Sequence, residues 1–216
     1  MKKFGFTLAE VLITLGVLGI VAAVTMPTLI QKHKEQVVTN KLKKFYSTFS
    51  QAYLMAVSEN GTMDNWGLTN SNSDHSEATY ASYEKFFNIM GKYMKIVKYE
   101  RKVGGRVSAY LADGSEIVGI WLGQAENCNG NNRCGDFYVR VSGKPGGKGA
   151  FATYTNVFCF NIFANKIVPL GTGQDFNYCK NGTNYPVCSA WVLYNGNMDY
   201  LHCPDELSWD GKTKCK

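Results

Sequence analysis

Polar and apolar positions divide the chain into stretches of different period. Val11–Ile30 is a run of 20 residues without a charge, opened by a lone carboxylate at Glu10. At a rise of ~1.5 Å per residue the run spans ~30 Å, the thickness of a bilayer hydrocarbon core. From Gln31 the pattern becomes amphipathic: Val38, Leu42, Phe45, Phe49, Ala52 and Ala56 recur three and four residues apart, with polar residues between them. The stripe stops at Asn60-Gly61, a typical helix end. The two stretches predict one helix from Phe6 to about Glu59. Its second half packs its stripe into the core of a head domain rather than forming a coiled-coil seam.

After the polar loop "TMDNWGLTNSNS" a second helix is expected. Asp74, with Glu77 three residues on, reads as a capping box, and Tyr80, Tyr83, Phe87, Met90, Met94 and Val97 keep the helical spacing toward Tyr99. From Arg106 the period shortens to that of strands. "VSAYLADGSEIVGIWL" predicts a hairpin turning at Asp113-Gly114, and "FYVRV" a short strand. "NVFCFNIFANKIVPLG" predicts a second hairpin near Ala164-Asn165, and "AWVLYNGNMDYL" a third at Asn195-Gly196. The fold class is α+β: a long N-terminal helix packed on an antiparallel β-sheet head.

Composition narrows the setting. With 216 residues, 45% of them hydrophobic, the chain suits one folded domain with an appendage. The net charge of +6 is unevenly placed. Lys2 and Lys3 precede the apolar run, and Lys32, Lys34, Lys41, Lys43 and Lys44 follow it; beyond them charge is nearly balanced, which argues against a general nucleic-acid surface. Seven cysteines point to an oxidising compartment. Pairing of neighbours gives Cys128 with Cys134, Cys179 with Cys188 and Cys203 with Cys215, leaving Cys159; sequence alone does not fix the connectivity. Zinc is the rival reading, but there is no CxxC, and only Cys203 adjoins a histidine.

Catalytic chemistry has no visible seat. His33, His75 and His202 lie in no nucleophile or metal motif, and "KPGGKG" does not match a phosphate loop. No catalytic residue, metal or cofactor is expected. Asp205, Glu206 and Asp210 read as a solvated loop, and Ala9, Gly16, Gly19 and Ala23 share one helical face that allows close helix approach.

The N-terminus offers two processing readings. "VAAVTMP" is a weak secretory cleavage site. The alternative cut lies before the apolar run, after "MKKFG". There "G-FTLAE", followed by about twenty apolar residues, resembles the signal of type IV pilins and type II secretion pseudopilins. The resemblance is specific over residues 1–30 and holds in pattern to about Val57. It implies that prepilin peptidase cuts after Gly5 and that Phe6 is N-methylated. It also implies that Glu10 faces the terminal amine of a neighbouring subunit, and that Pro27 marks a helix-disturbing position of the family. In a filament the segment from Gly19 to Pro27 would then lose helical structure.

The resulting organisation is a leader at 1–5, a transmembrane or filament-core helix at 6–30, the amphipathic half of that helix at 31–60, and a head with disulfide-closed loops at 61–216. A free amine at Phe6 and the carboxylate of Glu10 are each costly in apolar surroundings and attract as a pair; within one chain they stand at i and i+4. The family reading adds an exchange of partner on assembly. The lysines after the span conflict with an extracytoplasmic head by the positive-inside rule. The leader is the more specific signal, and the lysines serve as the solvated face of the amphipathic helix.

The expected protein is therefore a structural filament subunit, held in the inner membrane by one span with an extracytoplasmic head and then built into a pilus or pseudopilus. Its partners would be copies of itself and related pilins, prepilin peptidase and an inner-membrane assembly platform. The alternatives are a DNA-uptake pilus subunit, for which the stalk lysines would contact nucleic acid, and a signal-anchored extracytoplasmic binding protein. Family pseudopilins often carry an acidic calcium loop; "VSGKPGGKG" has no carboxylate, so calcium is not carried over.

Overall fold

Helix α1 runs unbroken from Leu8 to Asn60 and holds both the apolar run and the amphipathic stripe. The computed structural model describes residues 7–71, 76–102, 106–142, 156–180 and 188–216. Contacts divide the chain into two units, Met1–Val37 and Val38–Lys216. In the first, every described residue is exposed except the half-buried Ala22 and Glu35.

The second unit begins with the rest of α1, where Val38, Leu42, Phe45, Phe49, Ala52 and Ala56 are all buried, together with Thr39 and Tyr53. Their partner is a six-stranded antiparallel meander in sequential order: β1 (Ile96–Lys102), β2 (Arg106–Leu111), β3 (Glu116–Trp121), β4 (Arg133–Arg140), β5 (Val157–Phe163) and β6 (Lys166–Pro169). Phe49 meets Phe137 of β4 at 4.4 Å between ring centroids, and Phe45 lies 6.0 Å from Phe160 of β5. Phe137 and Phe160 stack on each other at 5.3 Å. Two tyrosines of α1 also reach the backbone at this side of the sheet: Tyr53 donates to the Phe163 carbonyl (2.8 Å) and Tyr46 to that of Ile167 (3.0 Å). Aromatic burial supplies the energy, and the two hydroxyls find partners on leaving water.

Helix α2 (Glu77–Met90) buries Tyr83, Phe86, Phe87 and Met90. Its N-cap is Ser76, whose hydroxyl accepts from the Thr79 amide; the expected capping residue Asp74 lies outside the described residues. The helix stops at Met90, with Gly91 as its C-cap, so the helical spacing projected through Met94 and Val97 to Tyr99 fails. Ile96–Lys102 is instead β1, paired along β2 as far as Lys102 with Arg106. Edge position explains the misreading: only one side of β1 has a strand neighbour, Val97 is exposed, and no regular alternation survives. Arg101 of β1 reaches back to α2, pairing with Glu77 (2.7 Å) and Glu84 (2.9 Å).

The hairpins at Asp113-Gly114 and Ala164-Asn165 are present as β2–β3 and β5–β6. The hairpin expected over "AWVLYNGNMDYL" is not. After a short helix α3 (Asn177–Lys180), helix α4 (Ser189–Asn195) takes its place, followed by a short 3₁₀ turn at Asp199–Leu201. Gly196 ends α4 in the left-handed region (φ 69°), its amide donating to the Val192 carbonyl. Asn-Gly suits a tight hairpin turn and a helix C-cap equally, because both need positive φ. Tertiary contacts decide: the Ala190 amide donates to the Leu170 carbonyl, the Ser189 hydroxyl accepts from the Cys159 amide, and Trp191 is fully buried.

Three disulfides join Cys128 to Cys134, Cys179 to Cys188 and Cys203 to Cys215, and Cys159 is a buried free thiol. Burial pushes the Cys159 thiol well above its ordinary range, so it behaves as a small apolar residue. The last disulfide closes the C-terminal loop over an aromatic block in which Trp191 lies 4.5 Å from Phe176 and 5.1 Å from Trp209. Asn197 pins the loop by donating to the Thr213 carbonyl, and Asp199 does so by accepting from the Cys215 amide. Replacing Cys203 and Cys215 together by serine should lower stability by about 3 kcal/mol in the chain-entropy account. Denaturant unfolding of the detergent-solubilised chain measures this; an unchanged midpoint would mean the other contacts hold the loop alone.

Candidate functional site

The segment that carries the sequence signals is the start of α1. Thr7 is the residue before the helix, and it forms a reciprocal pair with Glu10. The Thr7 amide and hydroxyl both donate to Glu10 Oε2, each at 2.8 Å, while the Glu10 amide donates to Thr7 Oγ1 at 3.3 Å. This is a capping box, and it satisfies donors that a helix N-terminus otherwise leaves unpaired. Both donations from Thr7 fall on Oε2; among the described residues no donor reaches Oε1. The carboxylate that stands alone in the apolar segment is thus held by its own chain through one oxygen, the other being unbonded among the described residues. The T-x-x-E of "TLAE" is the sequence signature of this box, and it stands beside the expected pairing of Glu10 with an amine at Phe6.

Beyond Glu10 the helix satisfies its few polar side chains locally. Thr14 Oγ1 donates to the carbonyls of Glu10 and Val11 (2.9 Å each), and Thr25 Oγ1 to that of Val21 (2.9 Å). Such back-bonding hides hydroxyls from an apolar environment. Gly16 and Gly19 have open space where a Cβ would stand, and Ala9 and Ala23 are exposed. Pro27 sits inside the continuous helix; having no N–H, it leaves the Ala23 carbonyl without its intrahelical donor. Gly5 and Phe6 lie outside the described residues, as do His75 and "KPGGKG". His33 and His202 are exposed, and the described residues contain no group of metal-ligating side chains.

A helix long and apolar enough to cross a membrane, with none of its apolar window buried, needs an apolar partner, either lipid or other protein. With the α+β head behind it, this is a pilin-like architecture. Residues 1–26 match the prokaryotic N-terminal methylation motif, the signal of type IV pilin and pseudopilin precursors. Residues 28–208 match a family of unknown function, DUF6613, and the chain belongs to that family. Comparison with curated proteins and with solved structures returns no match. The methylation motif points to a structural subunit that is membrane-anchored before assembly.

Proposed function

We propose that the chain is a filament subunit of a type IV pilus-like or pseudopilus assembly, cut by prepilin peptidase after Gly5 and N-methylated at Phe6. The observation that carries the reading is the methylation motif running directly into a helix that is uncharged from Val11 to Ile30 and exposed over that stretch except at the half-buried Ala22. Residues 1–5 are the leader, 6–30 the span and later filament core, 31–60 the amphipathic half of the helix, and 61–216 the outward head. The head stands on the extracytoplasmic side of the inner membrane, where disulfides form. Prepilin peptidase and an inner-membrane assembly platform act on the chain before it joins copies of itself and related pilins.

In the filament the open oxygen of Glu10 takes the methylated amine of a neighbour's N-terminus and fixes the subunit's register. Opposite charges in low dielectric attract strongly and tolerate little displacement. The unpaired Ala23 carbonyl above Pro27, together with Gly16 and Gly19, marks where the helix melts most cheaply on packing. Gly5→Leu should leave the leader on, because the peptidase needs a small residue at the cut. An anti-tag blot would show a single unprocessed band; normal processing would contradict the assignment of the cut.

A further inference from the structure

The chain holds four Asn-Gly steps: Asn60-Gly61, Asn129-Gly130, Asn181-Gly182 and Asn195-Gly196. In such a step the glycine amide nitrogen can approach the side-chain amide carbon before it, with no Cβ in the way. Asn181-Gly182 lies outside the described residues; the fold treats the other steps differently. Asn60 ends α1 and is half-buried, and its Nδ2 donates to the Ala56 carbonyl (2.8 Å) and the Tyr93 hydroxyl (3.1 Å). Asn195 ends α4 and is half-buried, and the Gly196 amide is held by the Val192 carbonyl (3.0 Å). Asn129 differs on each count. It and Gly130 are exposed, outside helix and strand, in the loop closed by Cys128 and Cys134, and nothing lies within 4 Å of where a Gly130 Cβ would stand. Among the described residues no acceptor meets the Gly130 amide, and Asn129 Nδ2 has one long contact, to Asp64 Oδ2 at 3.4 Å.

We propose that Asn129 is a site of self-modification, where the side-chain amide is lost and a carboxylate appears. The Gly130 amide nitrogen gives its proton to water or hydroxide and bonds to Asn129 Cγ. The Cγ–Nδ2 bond breaks, and Nδ2 leaves as ammonia with a proton from solvent. A cyclic imide remains. Water then opens it: cleavage between Cγ and the ring nitrogen gives aspartate, and cleavage between the backbone carbonyl carbon and that nitrogen gives isoaspartate. The new charge falls beside another. Asp64 belongs to the 3₁₀ turn Met63–Trp66, and its Oδ1 accepts from Thr62 Oγ1 (2.5 Å) and Asn65 Nδ2 (3.3 Å). The Thr62 hydroxyl holds the Asp64 carboxyl below its ordinary range, so Asp64 is ionised at neutral pH. Once Nδ2 is gone, a contact between donor and carboxylate becomes one between like charges. The turn then loosens from the disulfide loop. Asn70 Oδ1 still accepts from the Glu126 amide (3.0 Å), so the change stays local.

The test incubates the detergent-solubilised full-length chain at mildly alkaline pH and maps its peptides by mass spectrometry, with fragmentation to place each lost amide. Asn129 should convert at least about fivefold faster than Asn195, the factor that corresponds to first giving up one net hydrogen bond. In denaturant with the disulfides reduced the two rates should converge, because the steps are then chemically alike. Asn129→Gln, whose longer side chain closes a less favourable ring, should stop conversion at that position and leave Asn195 as it was. Asn129→Asp, standing in for the product, should speed hydrogen exchange over Thr62–Trp66 and leave β4 and β5 unchanged. Equal rates at Asn129 and Asn195 in the folded chain, or a faster Asn195, overturn the site. Unaltered exchange over Thr62–Trp66 in Asn129→Asp overturns the consequence drawn for Asp64.

Discussion

Glu10→Leu is expected to remain in the membrane and to fail in assembly. The substitution removes the single charge from the head of the apolar run, so insertion is favoured by it. It also removes the acceptor of both Thr7 donors, and with it the carboxylate that we propose pairs with a neighbour. Stranding the opposite charge of a buried pair is strongly destabilising, so filament yield should fall by more than about tenfold. Glu10→Gln separates the two roles. Its amide oxygen still accepts from Thr7 and keeps the helix start, but it carries no charge. If Glu10→Gln assembles like the wild type, the capping box is sufficient and the intersubunit ion pair is wrong. If both variants fail alike while membrane levels hold, the charge is what assembly requires. Sheared-filament yield against membrane content measures each.

Phe137→Ala should be the most damaging change within the head. The ring is fully buried and lies 4.4 Å from Phe49, 5.3 Å from Phe160 and 6.1 Å from Phe45. It therefore stands where α1, β4 and β5 meet. Truncating a buried phenylalanine costs about 3–5 kcal/mol in transfer and cavity terms. Domains are stable by only about 5–15 kcal/mol, so much of the head's margin would go. Denaturant unfolding followed by tryptophan fluorescence measures it. A loss below about 1 kcal/mol would mean that the α1 stripe is not packed on the sheet as described.

Where the sequence could be read, one physical rule acted alone. The stripe Val38 to Ala56 shows its period because α1 buries a single face, with lysines and hydroxyls opposite. The β2–β3 turn shows because Asp113 accepts from the Ser115 amide and Gly114 takes positive φ, so local chemistry and tertiary structure agree. The failures came where two rules competed. Strand β1 lies at a sheet edge, and its mixed pattern also satisfies helical spacing as far as Tyr99. Helix α4 is buried on most sides from Ser189 to Val192, which hides any period, and its Asn195-Gly196 end is shared with hairpins. At the N-terminus the Thr7–Glu10 box and the proposed intersubunit pair draw on the same carboxylate, and sequence does not say which oxygen serves which.

The central claim is that this chain is processed after Gly5 and built into a filament. Mass spectrometry of its N-terminal peptide, taken from sheared surface or periplasmic filaments and from membranes, tests it most directly. The account predicts a peptide beginning at N-methylated Phe6 in both fractions. A chain that keeps Met1 throughout, or begins near Ala23, would contradict it.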